Sequence, residues 1–439
     1  MAGKVIILGG GESGVWSAAL GSVNGWDVFL SDSGIIKDEN RAVLLHYSIR
    51  FEEGVHSFDP QELADIVVKS PGIPDEAATV QFFTQLNIPI ISEIEWAFRF
   101  QDKKIVAITG SNGKTTTTKL TWHLLHEAGL NAGLGGNIGK SFAHLLMDEP
   151  DRDIYVLELS SFQLDGIDTF RANVAMLLNI TPDHLDRYHY DIMEYAASKG
   201  RICLNQTEGD VLIYHAQDEL VNMVLADASP EIRRIPVAFN EFQTESIQLS
   251  DGSLLTLDTT GLRGRHNAFN AICALEVGRV FNLPLADLQK SLNSFVNEPH
   301  RLEDVGELDG VVYINDSKAT NVDAVFYALE AMNKPTVWIA GGQDKGNDYS
   351  ALDIRVREKV KSIVCMGIDN AKLKAHFADF GIPIFDTNSL DAALQTARQT
   401  SVSGDAVLLS PACASFDLFK NYMHRGDLFR EWVLQQKKL

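Results

Sequence analysis

Short apolar runs of strand length recur along the chain, and each is followed by Gly, Ser, Asp or Pro and then by a stretch with helical spacing. This alternation is typical of domains built on parallel β-sheets. The runs fall into three sets, and each set is sufficient for one sheet. We predict strands at 4–8, 28–32, 66–72 and 88–92, then at 104–110, 154–160 and 174–180, and finally at 311–317, 336–342, 362–367 and 406–412.

The three sets predict three domains. We place the boundaries near residue 95 and near residue 298, where the sequence NEPHR interrupts a helical pattern. A chain of 439 residues is also too long for one compact core. The predicted domains are therefore 1–95, 96–298 and 299–439.

The segment ITGSNGKTTTTKL (108–120) follows a predicted strand and indicates a phosphate-binding loop. Small residues from Gly110 to Gly113 allow main-chain N–H groups to turn inward around an anion. Lys114 is placed to reach the terminal phosphates of a nucleotide, and the Thr115 hydroxyl to bind Mg²⁺. The loop is two residues shorter than the usual G-x-x-x-x-G-K-[ST] pattern. The alternative is a tight turn with an exposed lysine.

Two later strand ends indicate a magnesium site beside this loop. Glu158 ends the strand at 154–160, where a carboxylate can hold Mg²⁺ directly or through water. His184, in NITPDHLDRY (179–188), is a candidate ligand of a second metal, and Asp183 is placed to orient it. His184 and His189 lack the i, i+4 spacing of a helical zinc site, so a zinc hydrolase is not predicted.

A predicted helix at 266–278 carries paired amides. Asn267 and Asn270 lie three residues apart and share a face. Paired amides suit the donor and acceptor edge of adenine, but capping of the helix by Asn267 explains the spacing equally well.

Polar residues also follow three strands of the third set. Asp316 lies at the end of the strand at 311–317 and Lys318 directly follows it, and Thr320 or Asn321 is expected to cap the next helix. Ligands collect at the carboxyl edge of parallel sheets. Three residues at this edge are candidates to bind carboxylates or phosphates: Lys318, Lys345 and Ser415.

The sequence GGGESG (9–14) follows the first strand and matches G-x-G-x-x-G, and Asp32 ends the next strand. The match alone is a weak indication of a dinucleotide fold. It fits NAD, another nucleotide diphosphate, or a tight turn without a ligand.

Composition and charge narrow the class of ligand. With 45% hydrophobic and 22% charged residues the chain resembles ordinary soluble proteins. A net charge of −21 opposes nonspecific binding to nucleic acid or anionic membranes, so a phosphorylated substrate needs local help from N–H groups, lysines or metal ions. The four cysteines show no metal-ligand spacing, and we expect buried free thiols in a reducing cytosol.

Together these motifs resemble the Mur ligases, the ATP-dependent ligases that add amino acids to the UDP-muramoyl precursor of bacterial peptidoglycan. TGSNGKTT matches the shortened phosphate loop of that family. Further matches follow in order at GGNIG (135–139), ELSSFQL (158–164), NITPDHLDRY, HN (266–267), HR (300–301) and NDSKATN (315–321). The resemblance covers the whole chain, and SPACASFDLFKNYMHRGDLF resembles the members that add D-glutamate. The D-x-P-R or D-x-P-K signature of diaminopimelate- and lysine-adding members is absent from the sequence.

The resemblance implies an α/β fold of three domains: a Rossmann-like N-terminal domain for the UDP substrate, a central P-loop-type ATPase domain, and a Rossmann-like C-terminal domain for the amino acid. It implies a cytoplasmic, monomeric enzyme without nucleic-acid partner or membrane insertion. The implied reaction adds D-glutamate to UDP-N-acetylmuramoyl-L-alanine through an acyl phosphate, with ATP as substrate and two Mg²⁺ ions.

The resemblance also implies roles for individual residues. Those implied for the ATP phosphates are Gly110, Ser111, Asn112, Gly113, Lys114, Thr115 and Thr116. Those implied for adenosine are Asn137, Asn267, Asn270, His300, Arg301 and Asp316. Those implied for magnesium are Thr115, Glu158, His184 and Lys199, the last as a carbamylated lysine.

Further residues are implied for the other substrates and for catalysis. The UDP substrate is implied to contact Ser13, Asp32, Ser33, Gly72, Asn137 and His184. D-Glutamate is implied to contact Thr320, Lys345, Ser415 and Tyr422. The implied catalytic residues are Lys114, His184, Lys199 and Lys318.

The sequence departs from the family pattern at two positions. Gly34 stands where a compared member has arginine, which puts one contact near the uridine diphosphate in doubt. Tyr422 stands where that member has phenylalanine, and two rings of similar apolar area should be interchangeable. Rival functions are another ligase of the superfamily, such as an L-alanine-adding enzyme or a folylpolyglutamate synthase, an NAD-dependent oxidoreductase built on GGGESG, and a noncatalytic nucleotide-binding module.

Overall fold

The computed structural model describes residues 3–58, 64–226, 228–238, 246–257, 262, 264–344 and 346–437. The described chain forms two compact units. The first holds the described part of residues 1–240 with Ser246–Thr256 and Phe269–Leu292, and the second holds the described part of residues 257–268 and 293–439. Among the helices described, none has the length and apolar character needed to cross a membrane.

The N-terminal domain is a parallel sheet with helices packed on it. Its elements are β1 (Lys4–Leu8), α1 (Glu12–Val23), β2 (Asp27–Asp32), α2 (Asp38–His46), β3 (Arg50–Glu53), β4 (Ile66–Lys69), α3 (Ala78–Gln85), β5 (Ile90–Ser92) and α4 (Glu93–Phe98). The five strands are ordered β3-β2-β1-β4-β5, and every pair is parallel. Successive side chains of β1 enter different clusters: Val5 and Ile7 pack on one face, and Ile6 and Leu8 on the other.

The central domain has a second parallel sheet. Its elements are β6 (Lys104–Thr109), α5 (Lys114–Glu127), β7 (Ala132–Gly136), α6 (Phe142–Asp148), β8 (Ile154–Glu158), α7 (Ser161–Asp165), β9 (Val174–Leu177), α8 (Ile192–Gly200), β10 (Val211–His215), α9 (Glu219–Val224), β11 (Arg233–Val237), β12 (Ser246–Gln248), β13 (Leu254–Thr256), α10 (Arg265–Val280) and α11 (Leu285–Ser294). The six-stranded order is β11-β10-β9-β6-β8-β7, and β12 and β13 form a separate antiparallel pair. Because β6 lies between β8 and β9, the loops after these three strands meet at one edge.

The N-terminal and central sheets belong to the same compact unit and share one apolar cluster. Helix α4 carries much of this packing. Trp96 is fully buried and donates its indole N–H to the Ser17 carbonyl at 3.0 Å. The Glu95 carboxylate accepts main-chain N–H groups of Asp168 and Phe170 at 2.9 and 2.7 Å.

The C-terminal domain has a third sheet. Its elements are β14 (Glu303–Leu308), β15 (Val311–Asn315), α12 (Val322–Glu330), β16 (Thr336–Ala340), α13 (Asp353–Lys359), β17 (Val360–Met366), α14 (Ala371–Phe377), β18 (Ile384–Thr387), α15 (Leu390–Thr400), β19 (Ala406–Leu409) and α16 (Tyr422–Gln436). The order is β14-β15-β19-β16-β17-β18, and among the described strand pairs of this sheet only β14–β15 is antiparallel. Apolar clusters cover both faces of this sheet.

Every strand predicted from the apolar runs is present, and the α/β fold of three domains is confirmed. The sequence patterns missed β3, β7, β10, β11, β14, β18 and the β12–β13 pair. One border between the compact units falls at residues 292 and 293, close to the predicted boundary at 298, and no unit border falls near residue 95. The boundaries 1–95, 96–298 and 299–439 stay a prediction. All four cysteines are free and buried.

Candidate active site

The predicted phosphate loop lies between β6 and α5. Strand β6 ends at Thr109 and α5 begins at Lys114, so residues 110–113 precede the free N–H groups of the helix. Gly113 is the N-cap and has a φ of 83°, in the left-handed region that favours glycine. A Cβ at this position would lie 2.5 Å from Oδ1 of Asn270. The loop therefore offers donors for an anion at the positive end of a helix.

Two lysines converge on this loop. The Lys114 side chain donates to the carbonyl oxygens of Gly110 and Ser111, both at 2.8 Å. Lys199, near the end of α8, donates to the same Gly110 oxygen at 2.9 Å. The amine of Lys114 is thus placed where the phosphates of a nucleotide would lie, and the amine of Lys199 lies beside it.

Lys199 is buried, with 1% of its surface exposed. Its nitrogen lies 4.5 Å from the centre of the Tyr195 ring. Burial, followed by the charge of Lys114, holds the pKa of Lys199 well below its usual value. The side chain is therefore suited to be a neutral, nucleophilic amine.

Glu158 ends β8 beside the loop and is also buried. Its Oε1 accepts the side-chain amide of Asn137 at 3.0 Å. Its Oε2 is buried and accepts no hydrogen bond from the described residues. A buried carboxylate oxygen without a donor is costly unless a cation or another donor binds it. Thr115, at the start of α5, is buried as well.

The segment after β9 is tied to the phosphate loop by an asparagine. The side-chain oxygen of Asn179 accepts a hydrogen bond from the main-chain N–H of Asn112 at 2.8 Å. The side-chain NH₂ of Asn179 donates to the main-chain carbonyl of Asn112 at 3.0 Å. The same segment carries His184, whose side chain is 54% exposed and has Nε2 3.6 Å from Oδ2 of Asp183. His184 adopts a left-handed φ of 51°. Asp183 lies near the His184 ring, and its role in orienting His184 stays a prediction.

Helix α10 begins at Arg265, so Asn267 is its third residue rather than its N-cap. Both Asn267 and Asn270 are buried. The side chain of Asn270 lies against Gly113, which connects this helix to the phosphate loop.

In the C-terminal domain, Asp316 follows β15 and is buried. Its carboxylate accepts the Ser410 hydroxyl at 2.8 Å and the N–H of Leu302 at 3.1 Å. Burial raises the pKa of Asp316 to about 7, although these hydrogen bonds act to lower the pKa. His300 has a left-handed φ of 67°, and its Nδ1 lies 2.9 Å from the Asn315 amide.

A second group in this domain surrounds the start of α16. The Lys318 nitrogen lies 5.1 Å from the centre of the Tyr422 ring. Beneath them, the fully buried Arg425 donates to the Ser317 carbonyl at 2.8 Å and to the Ser317 hydroxyl at 2.9 Å. Burial lowers the pKa of Arg425 to about 10. Arg425 fixes the turn that carries Lys318.

The other residues predicted in the C-terminal domain differ in exposure and in structural role. Asn321 is the N-cap of α12 and accepts the N–H of Ala324 at 2.8 Å, so the Asn321 alternative for this cap is confirmed. Thr320 is exposed and Ser415 is buried. Lys345 lies outside the described residues.

A cavity of about 370 Å³ opens at the carboxyl edge of the N-terminal sheet. Asp32, Ser33 and Gly72 line it. Asp32 accepts the N–H groups of Gly10 and Gly34 at 2.5 and 2.6 Å, so its carboxylate organises the glycine turn. Gly14 is required there, because a Cβ would lie 1.8 Å from the Gly9 oxygen. Ser13, in the first turn of α1, is not part of the cavity lining.

Three family models match successive parts of the chain. The MurD N-terminal domain matches residues 4–78, the Mur ligase middle domain residues 108–278, and the Mur ligase glutamate ligase domain residues 300–413. A UDP-N-acetylmuramoylalanine--D-glutamate ligase from Christiangramia forsetii is 47% identical and aligns over 99% of each chain. A protein of the same name from Cytophaga hutchinsonii is 46% identical, also over 99% of each chain.

The chain belongs to the Mur ligase family. The resemblance read from the phosphate loop and the motifs after it is thereby confirmed. The crystal structure of UDP-N-acetylmuramate-alanine ligase from Thermotoga maritima is similar over 99% of each chain, with a TM-score of 0.60 at 18% identity. At this identity the similarity shows the fold alone, and it agrees with the three-domain architecture.

The central domain of this Mur ligase brings many of the predicted residues together. The loop at 110–113, Lys114 and Lys199 share hydrogen bonds, Asn270 contacts Gly113, and Asn137 bonds to Glu158. Gly110, Ser111, Glu158, Lys199 and Asn270 are buried, whereas Asn137 and His184 are exposed. Among the described residues, no three His, Cys, Asp or Glu side chains form a metal-binding group.

Four residues with structural contacts at these sites were not predicted from the sequence: Asn179, Tyr195, Arg425 and His56. Asn179 and Arg425 stand inside motifs that were recognised, but nothing in their spacing distinguishes a buried polar side chain from an exposed one. Tyr195 is at helical spacing typical of core residues. His56 follows β3, a strand whose sequence RFEE has no apolar pattern.

The two departures from the family pattern have defined surroundings. Gly34 donates its N–H to Asp32, and this bond needs no side chain. The Tyr422 ring presents its face to Lys318, which a phenylalanine ring does equally well.

Proposed function

We propose that this Mur ligase joins D-glutamate to UDP-N-acetylmuramoyl-L-alanine through an acyl phosphate, with ATP as the phosphoryl donor. The observation that carries the proposal is the name shared by two relatives of 46% and 47% identity over the full length of the chain. The geometry of the phosphate loop supports the ATP-dependent half of the reaction.

In the first step, the terminal alanine carboxylate attacks the γ-phosphorus of ATP. An O–P bond forms while the bond from the γ-phosphorus to the β-phosphate oxygen breaks, releasing ADP. Both reactants are anionic, so their approach needs positive charge that is already in place. We assign this role to Lys114 and to the N–H groups at the start of α5.

In the second step, the amine of D-glutamate attacks the acyl carbon. A C–N bond forms, the C–O bond to phosphate breaks, and the amine loses a proton as inorganic phosphate leaves. Lys318 is proposed to support the phosphate chemistry. Contacts to D-glutamate are proposed from Thr320, Lys345, Ser415 and Tyr422.

The central site fits Mg²⁺. The orphan oxygen of Glu158 and the hydroxyl of Thr115 are hard oxygen ligands, which this ion prefers. We propose that these two residues hold one ion, and that His184 and carbamylated Lys199 hold a second. When bound, the ions screen the repulsion between carboxylate and phosphates. Oxygens of substrate and water would supply the remaining ligands.

Carbamylation of Lys199 requires a neutral amine, whose nitrogen bonds to the carbon of CO₂ with loss of one proton. The buried position and lowered pKa of Lys199 support this modification. The product carries a negative charge close to Lys114, and that pairing would offset its burial.

The other substrate contacts follow the family resemblance. For adenosine we propose Asn137, Asn267, Asn270, His300, Arg301 and Asp316. For the UDP substrate we propose Ser13, Asp32, Ser33, Gly72, Asn137 and His184, supported by the cavity that Asp32, Ser33 and Gly72 line. We propose a monomer in the cytoplasm, and the buried free thiols fit a reducing compartment.

A phosphate-release assay tests the proposal. Purified enzyme is given ATP, Mg²⁺ and UDP-N-acetylmuramoyl-L-alanine, and then D-glutamate, L-glutamate, L-alanine or L-lysine in separate reactions. Release of phosphate with D-glutamate alone is expected. Absence of turnover with D-glutamate would contradict the proposal. Turnover with L-glutamate and a folate, or with L-alanine and UDP-N-acetylmuramate, would instead favour a folylpolyglutamate synthase or an alanine-adding ligase.

A further inference from the structure

His56 forms part of the wall of the N-terminal cavity, beside Asp32 and Ser33. It stands in the segment after β3, and the sequence motifs assign it no role. Its ring lies parallel to that of Phe58, with centroids 5.7 Å apart. Phe58 in turn packs against the apolar cluster beneath the sheet, so the ring is held from one side.

A chain of hydrogen bonds fixes the orientation of this imidazole. The fully buried Ser31 donates its hydroxyl to Oε1 of Glu52 at 2.6 Å, and its oxygen also lies 2.6 Å from Nδ1 of His56. Glu52 further accepts the N–H of Ser57 at 2.9 Å. Burial raises the pKa of Glu52, but the bonds from Ser31 and Ser57 outweigh burial and hold the pKa below its usual value.

These bonds also fix a proton on the imidazole. Glu52 is ionised and accepts only, so the single hydroxyl proton of Ser31 is committed to it. The Ser31 oxygen must then accept from Nδ1–H of His56. Since Nδ1 points to a buried serine of β2, the opposite edge of the ring, with Nε2, is the part available to a ligand in the cavity.

We propose that Nε2 of His56 is a direct hydrogen-bonding contact to the nucleoside moiety of the UDP substrate, and that Ser31 and Glu52 position it. The inference rests on the proposed function. The diphosphate is expected at the glycine turn after β1, where α1 begins. In the order β3-β2-β1, the strand leading to His56 lies two places from that turn, roughly 10 Å at the usual strand spacing. The nucleoside is joined directly to the diphosphate and can span that distance.

Two substitutions of His56 distinguish the ligand contact through Nε2 from the hydrogen bond of Nδ1 to Ser31. Asparagine at position 56 can replace Nδ1 but not Nε2, whereas glutamine can reach the Nε2 position. The probes are UDP and UMP in equilibrium binding, and UDP-N-acetylmuramoyl-L-alanine in steady-state kinetics. His46→Asn is the matched control, because His46 is an exposed histidine of the same domain. Thermal unfolding of each variant is recorded alongside.

His56→Asn should weaken UDP and UMP binding by the same factor, roughly tenfold for one lost hydrogen bond. The KM for the UDP substrate should rise equally, while kcat and the KM values for ATP and D-glutamate stay unchanged. His56→Gln should restore most of the affinity, and His46→Asn should match the wild type.

Wild-type affinity in both His56 variants would overturn the inference and leave the proposed function standing. A loss confined to UDP, with UMP unaffected, would overturn the assignment to the nucleoside. A wild-type enzyme that binds no UDP and shows no turnover would instead remove the proposed function. Should His56→Asn fail to fold, the ring signals of wild-type His56 must shift on UDP titration in NMR spectra, and unmoved signals would overturn the contact.

Discussion

Lys114 and Lys199 donate to the same acceptor, the carbonyl oxygen of Gly110, at 2.8 and 2.9 Å. One lysine begins α5 and the other lies near the end of α8, 85 positions later in the sequence. Repulsion from Lys114 adds to burial in lowering the pKa of Lys199. The lysine assigned to the phosphates therefore also helps to keep its neighbour neutral and reactive.

Lys199→Met should remove activity and preserve the fold. The substitution replaces a buried amine by an apolar side chain of similar length, so stability should be maintained. Loss of the proposed magnesium ligand should lower kcat by about 100-fold or more. Lys290→Met, at an exposed lysine of α11, is the control. A carbamate signal in the ¹³C spectrum after incubation with ¹³CO₂ should be present in the wild type and absent from Lys199→Met. Unchanged activity would contradict the assigned role.

Gly113→Ala should damage nucleotide binding more than it damages stability. The new Cβ would lie 2.5 Å from the Asn270 side chain, and the φ of 83° disfavours any L-residue. Gly129→Ala is a matched control, because Gly129 has a φ of 81° and a Cβ added there would meet no described atom within 4 Å. Both variants should lose roughly 1–2 kcal/mol of stability. Titration with ATP should show weakened binding for Gly113→Ala alone, and equal affinities would contradict the contact.

Two buried glutamates of α4 should give opposite dependences of stability on pH. Burial raises the pKa of Glu93 to about 8, despite a bond from the Ala143 N–H. The folded state then keeps a proton that the unfolded chain loses above about pH 4.5. The contribution of protonated Glu93 to the stability of the fold is therefore fully present at low pH and is lost as the pH rises toward 8.

Denaturant unfolding of Glu93→Gln at pH 5 and pH 8 measures this effect. Glutamine cannot ionise. The free energy of unfolding of Glu93→Gln, relative to that of the wild type, should therefore increase by a few kcal/mol from pH 5 to pH 8. A constant difference would show that Glu93 is ionised throughout.

Glu95 provides the opposite case two residues away. Burial raises its pKa, but hydrogen bonds from Asp168, Thr169, Arg99 and Phe170 outweigh burial, so the pKa is lowered overall. Its stabilisation is present at neutral pH and is lost as the pH falls through the folded-state pKa. Glu95→Gln should cost about 2–4 kcal/mol at pH 7 in denaturant unfolding and less at low pH. An equal cost at both pH values would argue against an ionised Glu95.

Most of the strands predicted from the sequence are largely buried, because a continuous apolar run such as KVIIL is typical of a parallel strand covered by helices on both sides. The interior strand β10, with the apolar sequence VLIYH, was nevertheless missed. The sequence also did not predict β3, with the sequence RFEE, or β14, with EDVGEL, because these edge strands carry charges that face solvent. Strand β7 has the sequence AGLGG, and its glycines hide the apolar pattern. The buried strands alone were sufficient to predict the α/β fold class.

For the site, local motifs predicted the loop at 110–113, Lys114 and Glu158, since their chemistry is carried by residues close in sequence. Contacts between distant segments were not predictable. The bond of Lys199 to Gly110 joins positions 89 residues apart, and the Ser31–His56 contact depends on the pairing of β2 with β3. Such relationships depend on tertiary packing, which spacing does not encode.

Lys114→Ala should abolish turnover while UDP binding stays nearly intact. The side chain is proposed to supply charge where the phosphoryl group is transferred, and loss of one such group costs about 100- to 1,000-fold in kcat. The proposed UDP site is the N-terminal cavity, so UDP affinity should be unaffected. Surviving turnover would show that another cation performs this role.

The most direct test of the account is a crystal structure with a nonhydrolysable ATP analogue and Mg²⁺. The β- and γ-phosphates should accept hydrogen bonds from the main-chain N–H groups of residues 113–115, Lys114 should contact the γ-phosphate, and Glu158 should lie within reach of the metal. A triphosphate bound elsewhere, with the loop at 110–113 empty, would contradict the account.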